Sequence, residues 1–338
     1  MFYLQYFIDA IQTFSFKKEN DKQNVLLLGD GFFARGFLNT IDYKKYNVTQ
    51  IYRDEFINPQ DIFYSLQHNK EYDKESNFHI KDKIQNFFNK KNIKKIKTDI
   101  NTLQISDNNA IINNKLFYFD YMVIGLGAQK SLKSWSDELN YLIKQKNRKI
   151  DIIGTGPLGF EIAMSLNKFH QINMYDVLTE DKIFSYVKNY NKNYLLNILV
   201  KKDIKLYLGE FYNASDEKNK DSYKIFCVGT KPNNLTQNII INDKLQIENK
   251  YNIYVGGDCI GLHNKYGNIK TAQIAFQQGV YVAKRLNNEI EENKSFEYKS
   301  NGIALNIDDK QIIVENNNIL PDGIYPDYII KLYSMFCV

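Results

Sequence analysis

Three scarcities limit the kinds of protein that this chain can be. Its 338 residues include only three cysteines, Cys227, Cys259 and Cys337. Their number and wide spacing exclude a disulfide framework, a CxxC redox pair and a zinc cluster, and indicate a reducing intracellular compartment. With 5 Pro and 17 Gly, the composition excludes collagen-like and linker sequences. No apolar run reaches the roughly 18 to 20 residues that a membrane-spanning helix requires.

The chain also has little net charge for its length. The net charge of +5 arises from 44 basic and 39 acidic residues that are mostly interspersed, which argues against a nucleic-acid binder. The four histidines show no metal-ligand spacing, and the apolar N-terminal stretch lacks the basic region of a secretory signal. Because 14% of the residues are aromatic, the chain can form a sizeable core. Its length predicts about two domains. We expect a cytoplasmic or peripheral membrane protein.

A glycine motif that follows an apolar run and precedes a helical pattern occurs twice. Asn24–Gly36 reads NVLLLGDGFFARG, and Lys149–Ala163 reads KIDIIGTGPLGFEIA. The first contains Gly29-x-Gly31-x-x-Ala34 and the second Gly154-x-Gly156-x-x-Gly159. Such turns let backbone approach a pyrophosphate at a helix N-terminus. The alternative is an ordinary strand-to-helix turn with incidental glycines, but two motifs in this context favour two dinucleotide-binding units.

Each unit continues with a further strand, and the second of these strands ends on an acid. The first strand reads VTQIY, whereas the second, INMYD, ends at Asp176, which lies 17 residues beyond Gly159. A carboxylate at about this spacing accepts hydrogen bonds from the adenosine ribose and repels a 2′-phosphate, which favours NAD over NADP. Asp176 could alternatively be a solvated strand-end acid.

Three more apolar runs lead into glycine-rich backbone. They are Phe119–Ala128, Tyr223–Asn233 and Tyr251–Leu262. The last contains Gly256-Gly257-Asp258, where the carboxylate could bind a polyol or could simply be a turn residue.

In this order, the motifs resemble those of the FAD- and NAD(P)H-dependent pyridine nucleotide oxidoreductases, most closely the type II, single-subunit NADH:quinone oxidoreductases. The resemblance covers about residues 24–287. It implies an α/β fold with two Rossmann-type domains: an FAD domain at 1–130 and 251–295, an inserted NADH domain at 131–250 and a short C-terminal segment at 296–338. The cofactors that it implies are FAD and NADH. The residues that would bind them are Gly29, Gly31, Phe32, Ala34, Arg53, Gly127, Ala128, Gly154, Gly156, Gly159, Asp176, Gly229, Gly257 and Asp258.

The resemblance also implies three catalytic residues. Glu161 occupies the family's G-x-E position, beside the nicotinamide and the flavin. Gln273 and Gln277 match the A-Q-x-A-x-Q signature of the quinone site, and their i, i+4 spacing places both amides on one helix face. The alternative is two solvent-facing glutamines. Disulfide reductases need a proximal cysteine pair, which the chain lacks, and sulfide:quinone reductases, which also need redox cysteines, are disfavoured. The reaction that the resemblance implies is hydride transfer from NADH to FAD and electron transfer to a quinone-type acceptor.

Some features depart from the family pattern. The first unit has Tyr52-Arg53-Asp54-Glu55-Phe56 where flavoproteins commonly have a ribose-binding Glu, so the FAD ribose partner is undefined. The C-terminal membrane-docking region is cut down to about 45 residues, which leaves weak peripheral membrane contact and homodimer formation open. Alternative functions are a soluble NADH-dependent flavin reductase with a protein or small-molecule acceptor, and a catalytically degenerate flavoprotein scaffold.

Overall fold

A computed structural model describes residues 22–53, 93–129, 138–142, 144–187, 189–213, 215–216, 220–300, 302–307, 310–315 and 318–319. Outside the described residues lie Asp54, Glu55 and Phe56 of the first unit and the C-terminal residues 327–338. Among the helices in these ranges, none has the length and apolar character needed to cross a bilayer.

The first glycine motif follows β1, a central strand of a six-stranded sheet with the order β12-β13-β7-β1-β2-β3. Its strands are β1 (Gln23–Leu28), β2 (Tyr46–Tyr52), β3 (Ile93–Lys97), β7 (Tyr121–Ile124), β12 (Gln246–Ile247) and β13 (Lys250–Val255). All neighbours run parallel except β12, which is antiparallel to β13. Both faces of the central strands are covered, so β1 reads as an almost continuous apolar run with buried side chains from Val25 to Leu28.

Two helices cover one face of this sheet and cross at close range. They are α1 (Phe32–Thr40) and α4 (Ala272–Leu286). Helices α2 and α3 lie between them in the sequence and are described with the second sheet. A Cβ on Gly36 would lie 2.2 Å from the Phe276 carbonyl oxygen, and one on Gly279 would lie 2.0 Å from that of Phe33. Glycine at these two positions is what permits the helix backbones to touch.

The second glycine motif follows β8, an inner strand of a separate parallel sheet with the order β10-β9-β8-β11. Its strands are β8 (Lys149–Ile153), β9 (Gln171–Asp176), β10 (Lys205–Leu208) and β11 (Tyr223–Phe226). Helices α2 (Pro157–Leu166) and α3 (Asn189–Lys201) follow β8 and β9. A strand–helix–strand order with parallel pairing is the Rossmann arrangement, so the α/β fold with two such units is confirmed.

Two small antiparallel sheets complete the described structure. One joins β4 (Leu103–Ile105), β5 (Asn109–Ile112) and β6 (Lys115–Tyr118), and the other joins β14 (Ile303–Ile307), β15 (Lys310–Glu315) and β16 (Asn318–Ile319).

The two hydrophobic cores cross the domain limits expected from the sequence. Strand β12 and Leu245 belong to the first core although they precede residue 251. Leu305 and Ile307, from the expected C-terminal segment, lie in the second core, where Leu305 is completely buried. The domain limits themselves stay a prediction.

Candidate functional site

The first glycine turn connects β1 to α1 at the carboxyl edge of the six-stranded sheet. Gly29 has a φ of +109°, and a Cβ there would lie 2.1 Å from the Gly125 carbonyl oxygen, so the turn tolerates only glycine. Gly31 is the N-cap of α1, and no side chain caps this helix. Apart from its chain neighbours, no described residue has an atom within 4 Å of the position of a Gly31 Cβ. The uncapped N-terminus of α1 therefore has room for a ligand beside Gly31.

Phe33, in the first turn of α1, holds three glycine turns together. Its ring is 2% exposed. A Cβ on Gly125 would lie 2.4 Å from this ring, and one on Gly256 would lie 2.0 Å from it. These glycines follow β7 and β13, so the ends of three neighbouring strands converge on one aromatic side chain.

The turn that carries Asp258 is fixed from two sides. The buried Gln278 of α4 accepts a hydrogen bond of 2.7 Å from the Gly257 N–H. The Lys270 ammonium donates to the carbonyl oxygens of Asp258 and Ile260, at 3.0 and 2.6 Å. Burial raises the pKa of Asp258, and the nearby charge of Lys270 partly opposes this rise. No described residue donates a hydrogen bond to the Asp258 carboxylate, which leaves it available to hydroxyl groups of a ligand.

The second glycine turn has the same construction at the edge of the four-stranded sheet. Gly154 has a φ of +113°, and a Cβ there would lie 2.5 Å from the Cys227 carbonyl oxygen. Gly156 caps α2 without a side-chain hydrogen bond, Pro157 begins the helix, and no atom lies within 4 Å of a Gly156 Cβ position. Gly159 lies buried against Gly154 and Cys227.

Asp176 is attached to this turn. One of its carboxylate oxygens accepts hydrogen bonds from the Thr155 backbone N–H at 2.8 Å and the Thr155 hydroxyl at 2.7 Å. The other accepts one from the Leu178 N–H at 3.0 Å. Because a carboxylate has about four acceptor positions, one position is left for a ribose hydroxyl.

The remaining expected cofactor residues lie at the same strand ends. Gly127 and Gly229 have φ values of +72° and +92°, and each has open space around its Cβ position. Ala128 pairs with Pro232 in an isolated bridge between the segments that follow β7 and β11. Ala34 is fully buried on α1, Phe32 packs at the margin of the first core, and Arg53 follows the end of β2.

Glu161 lies on α2 and is only 9% exposed. Its charge contributes, after burial, to raising the pKa of Tyr186. The structure thus places this acid in a shielded position one turn beyond Gly156. Its role beside the nicotinamide stays a prediction.

Gln273 and Gln277 do project from one face of α4, and both amides have partners within the chain. Gln273 accepts a hydrogen bond of 2.7 Å from the Tyr298 hydroxyl. Gln277 pairs with the backbone of Lys299 through two hydrogen bonds, one to the carbonyl oxygen at 2.8 Å and one from the N–H at 3.1 Å. Both side chains are half-buried, so the choice between a quinone site and two solvent-facing glutamines stays open and the quinone role stays a prediction.

Sequence reasoning missed Phe33, Gln278 and Lys270. A signal existed for Gln278, since it lies on the buried face of α4 with Ile274 and Val282, and a buried amide in such a position needs a polar partner. No comparable signal identifies Phe33, whose ring lies against glycines that are distant in the sequence, or Lys270, whose partners are backbone carbonyl oxygens.

Comparison with known proteins agrees with this geometry. The family model of pyridine nucleotide-disulphide oxidoreductases matches residues 23–279, which include both glycine turns, Asp176 and Asp258. The chain belongs to this family.

The proteins and solved structures similar to this chain include NADH dehydrogenases and NADH-dependent oxidoreductases. A probable NADH dehydrogenase of Dictyostelium discoideum is 24% identical, over 80% of this chain and 74% of its own length. The structure of NDH2 from Plasmodium falciparum in complex with NADH has a TM-score of 0.68 and 16% identity, covering 92% of this chain and 94% of that one. NADH:rubredoxin oxidoreductase from Clostridium acetobutylicum has a TM-score of 0.64 and 18% identity, covering 90% and 85%. At these identities, the structures establish a shared fold.

The residues present fit the cofactors of this family, FAD and NADH. Two uncapped helix N-termini face open space at Gly31 and Gly156, as a pyrophosphate requires. The carboxylate of Asp258, which has no hydrogen-bond donor among the described residues, matches a polyol. The remaining acceptor position of Asp176 matches a ribose.

Proposed function

We propose that this NADH-dependent flavoprotein oxidoreductase passes the electrons of NADH to a quinone. The observation that carries this proposal is a set of three features: two uncapped glycine turns, a carboxylate suited to each dinucleotide (Asp258 and Asp176), and a helix with the A-Q-x-A-x-Q pattern that begins 14 residues after Asp258. The probable NADH dehydrogenase from Dictyostelium discoideum and the likeness to NDH2 support it. The absence of a redox cysteine pair from the sequence disfavours the disulfide reductases of the same family.

The chain's own residues bind and orient the two dinucleotides. In this proposal, the helix dipoles and free N–H groups at Gly31 and Gly156 attract the two pyrophosphates. Asp258 holds the ribityl chain of FAD, and Asp176 holds the adenosine ribose of NADH and repels a 2′-phosphate. The chemistry that bound FAD supplies is acceptance of a hydride and delivery of two electrons to an acceptor.

The acceptor would be bound beside α4. Gln273 and Gln277 share a face of this helix and follow Asp258 by 15 and 19 residues. In this proposal, their two neutral amides lie near the turn that holds the ribityl chain. Neutral donors and acceptors can hold a quinone carbonyl without burying a charge. Their bonds to Tyr298 and Lys299 fix the amides in position, and Glu161 would shield the nicotinamide side.

Separating the two half-reactions tests the proposal. The purified protein should be yellow and should lose its flavin absorbance anaerobically when NADH is added; absence of bleaching would indicate a catalytically degenerate scaffold. Replacing Gln273→Leu together with Gln277→Leu should raise KM or lower kcat for quinone and leave NADH bleaching nearly unchanged in stopped-flow. Gln171→Leu, at the exposed amino end of β9, is the matched control and should change neither half-reaction.

A second candidate function is a reductase with a protein or small-molecule acceptor. It is favoured by the hydrogen bonds of Gln273 and Gln277 to residues 298–299, because some of these bonds would have to break before the amides could bind a quinone. NADH:rubredoxin oxidoreductase, a structure of the same fold, passes electrons to a protein. If the double variant retains quinone turnover, the electrons leave elsewhere and this second function is the better one.

A further inference from the structure

The two dinucleotide-binding units differ at the end of their second strand. In the second unit, the Gly154 N–H donates to the Tyr175 carbonyl oxygen, and Asp176 is the next residue. In the first unit, the Gly29 N–H donates to the Ile51 carbonyl oxygen, so the equivalent of Asp176 is Tyr52. Among the described residues, the first unit therefore has no carboxylate at this register position, although FAD carries the same adenosine ribose as NADH; Asp54 and Glu55 lie outside the described residues.

The first unit has a carboxylate in the glycine turn instead. Asp30 occupies the place of Thr155, whose side chain in the second unit reaches the strand-end carboxylate at 2.7 Å. A side chain at this turn position thus faces the end of the neighbouring strand. Asp30 does so, because Gln50 of β2 donates a hydrogen bond of 2.9 Å to one of its carboxylate oxygens.

The Asp30 carboxylate is held in a defined orientation. The fully buried Gln50 amide also donates to the Gly29 carbonyl oxygen at 2.9 Å, which ties β2 to the turn. Arg35 of α1 contacts the second carboxylate oxygen at 3.1 Å, with both side chains at most 10% exposed. Each carboxylate oxygen is thus fixed by one of these contacts. Among the described residues, the buried Oε1 atom of Gln50 has no hydrogen-bond partner, so this crevice contains an unsatisfied acceptor.

We propose that Asp30 is the ribose-binding carboxylate of the FAD site, so that the turn rather than the strand end supplies the acid in the first unit. This inference rests on the proposed function, since it assumes that the first unit binds FAD.

The Asp30–Arg35 ion pair explains how an acid can lie in a pyrophosphate-binding turn. An isolated carboxylate next to the N-terminus of α1 would repel the phosphates. Arg35 compensates this charge at 3.1 Å, in a nearly buried pair where screening by solvent is weak. The turn therefore retains its attraction for the pyrophosphate while presenting an oriented hydrogen-bond acceptor to the ribose.

The test compares FAD with its analogue that contains 2′,3′-dideoxyadenosine. Both are titrated into flavin-free protein and followed by the quenching of flavin fluorescence. Loss of hydrogen bonds to a charged group weakens binding by about tenfold to a hundredfold, so the unmodified protein should prefer FAD by this factor. In Asp30→Thr, which installs the residue that the second unit has in its turn, FAD should bind as weakly as the analogue does. The matched control is Asp176→Asn, which should keep the full preference for FAD while NADH binds more weakly.

Each outcome separates this inference from the proposed function. If the unmodified protein binds no FAD, the proposed function fails. If it binds FAD and the analogue equally, or if Asp30→Thr keeps the preference, the ribose role of Asp30 is refuted and Asp30 only pairs with Arg35. The comparison in the unmodified protein can refute the ribose role without any variant. If Asp30→Thr misfolds, the isosteric Asp30→Asn assigns the preference: loss of the preference supports Asp30, and full retention refutes it.

Discussion

Replacement of Gln278 by leucine should loosen the turn that presents Asp258. The Gln278 side chain is 1% exposed, and its Oε1 atom is the partner of the Gly257 N–H at 2.7 Å. Leucine has nearly the same volume and cannot accept a hydrogen bond, so the buried N–H of Gly257 loses its partner. An unsatisfied buried donor costs about 1–3 kcal/mol.

The expected effects follow from this cost. The melting temperature of the flavin-free protein should fall by about 2–12 °C, at roughly 2–4 °C per kcal/mol. The FAD dissociation constant should rise by about threefold to tenfold. That is less than the roughly tenfold to 150-fold expected for complete loss of a charged hydrogen bond, because Asp258 is displaced and not removed.

Thermal unfolding monitored by circular dichroism and titration with FAD provide the two readouts. Gln277→Leu is the matched control: it removes an adjacent amide of α4 that pairs with the Lys299 backbone and leaves Gly257 untouched. If Gln278→Leu and Gln277→Leu change FAD affinity equally, or if neither readout moves in Gln278→Leu, the argument that Gln278 supports the Asp258 turn is refuted.

Three further predictions concern the same two sites. Asp176→Ala should weaken NADH and narrow its advantage over NADPH, as measured by steady-state kinetics; equal efficiency of both nucleotides with the unmodified protein would contradict the role of Asp176. Asp258→Asn should lose flavin on purification. Since burial raises the pKa of Asp258, this group favours folding at low pH, and its contribution falls as pH rises through the raised pKa. The flavin-free Asn variant should therefore resist urea better than the unmodified protein above that pKa and lose this advantage in acid. Gly279→Ala should lower the melting temperature by an amount equivalent to about 1–3 kcal/mol, because its Cβ would lie 2.0 Å from the Phe33 carbonyl oxygen; an unchanged value would show that α1 and α4 can separate freely.

The sequence predicted the local parts of these sites well. A glycine turn between an apolar strand and a helix is determined by neighbouring residues, so Gly29, Gly31, Gly154 and Gly156 could be placed with the correct flanking elements. Asp176 was recognisable for a similar reason, because strand length and parallel pairing fix its distance from the turn.

Contacts across the fold could not be predicted in the same way. Nothing in the spacing shows that Gln278 bonds to Gly257, 21 residues away, or that the Phe33 ring lies against Gly125 and Gly256. From the sequence, the FAD ribose partner stayed undefined, because an acid was sought at the strand end. Only the shared hydrogen-bond register of the two units shows that Asp30 lies in the corresponding crevice.

The burial of Leu305 and Ile307 in the second core has a consequence for biosynthesis. The strands of the four-stranded sheet are complete at Phe226, yet two residues of their core follow about 80 positions later. At about 5–20 residues per second, the ribosome needs roughly 4–16 seconds to supply them. During this interval, the nascent second unit exposes apolar surface on α2, while the ribosome makes β13 and α4 for the first unit. The two units should therefore reach their final packing late and close together in time, and a chaperone could bind the exposed apolar surface during this interval.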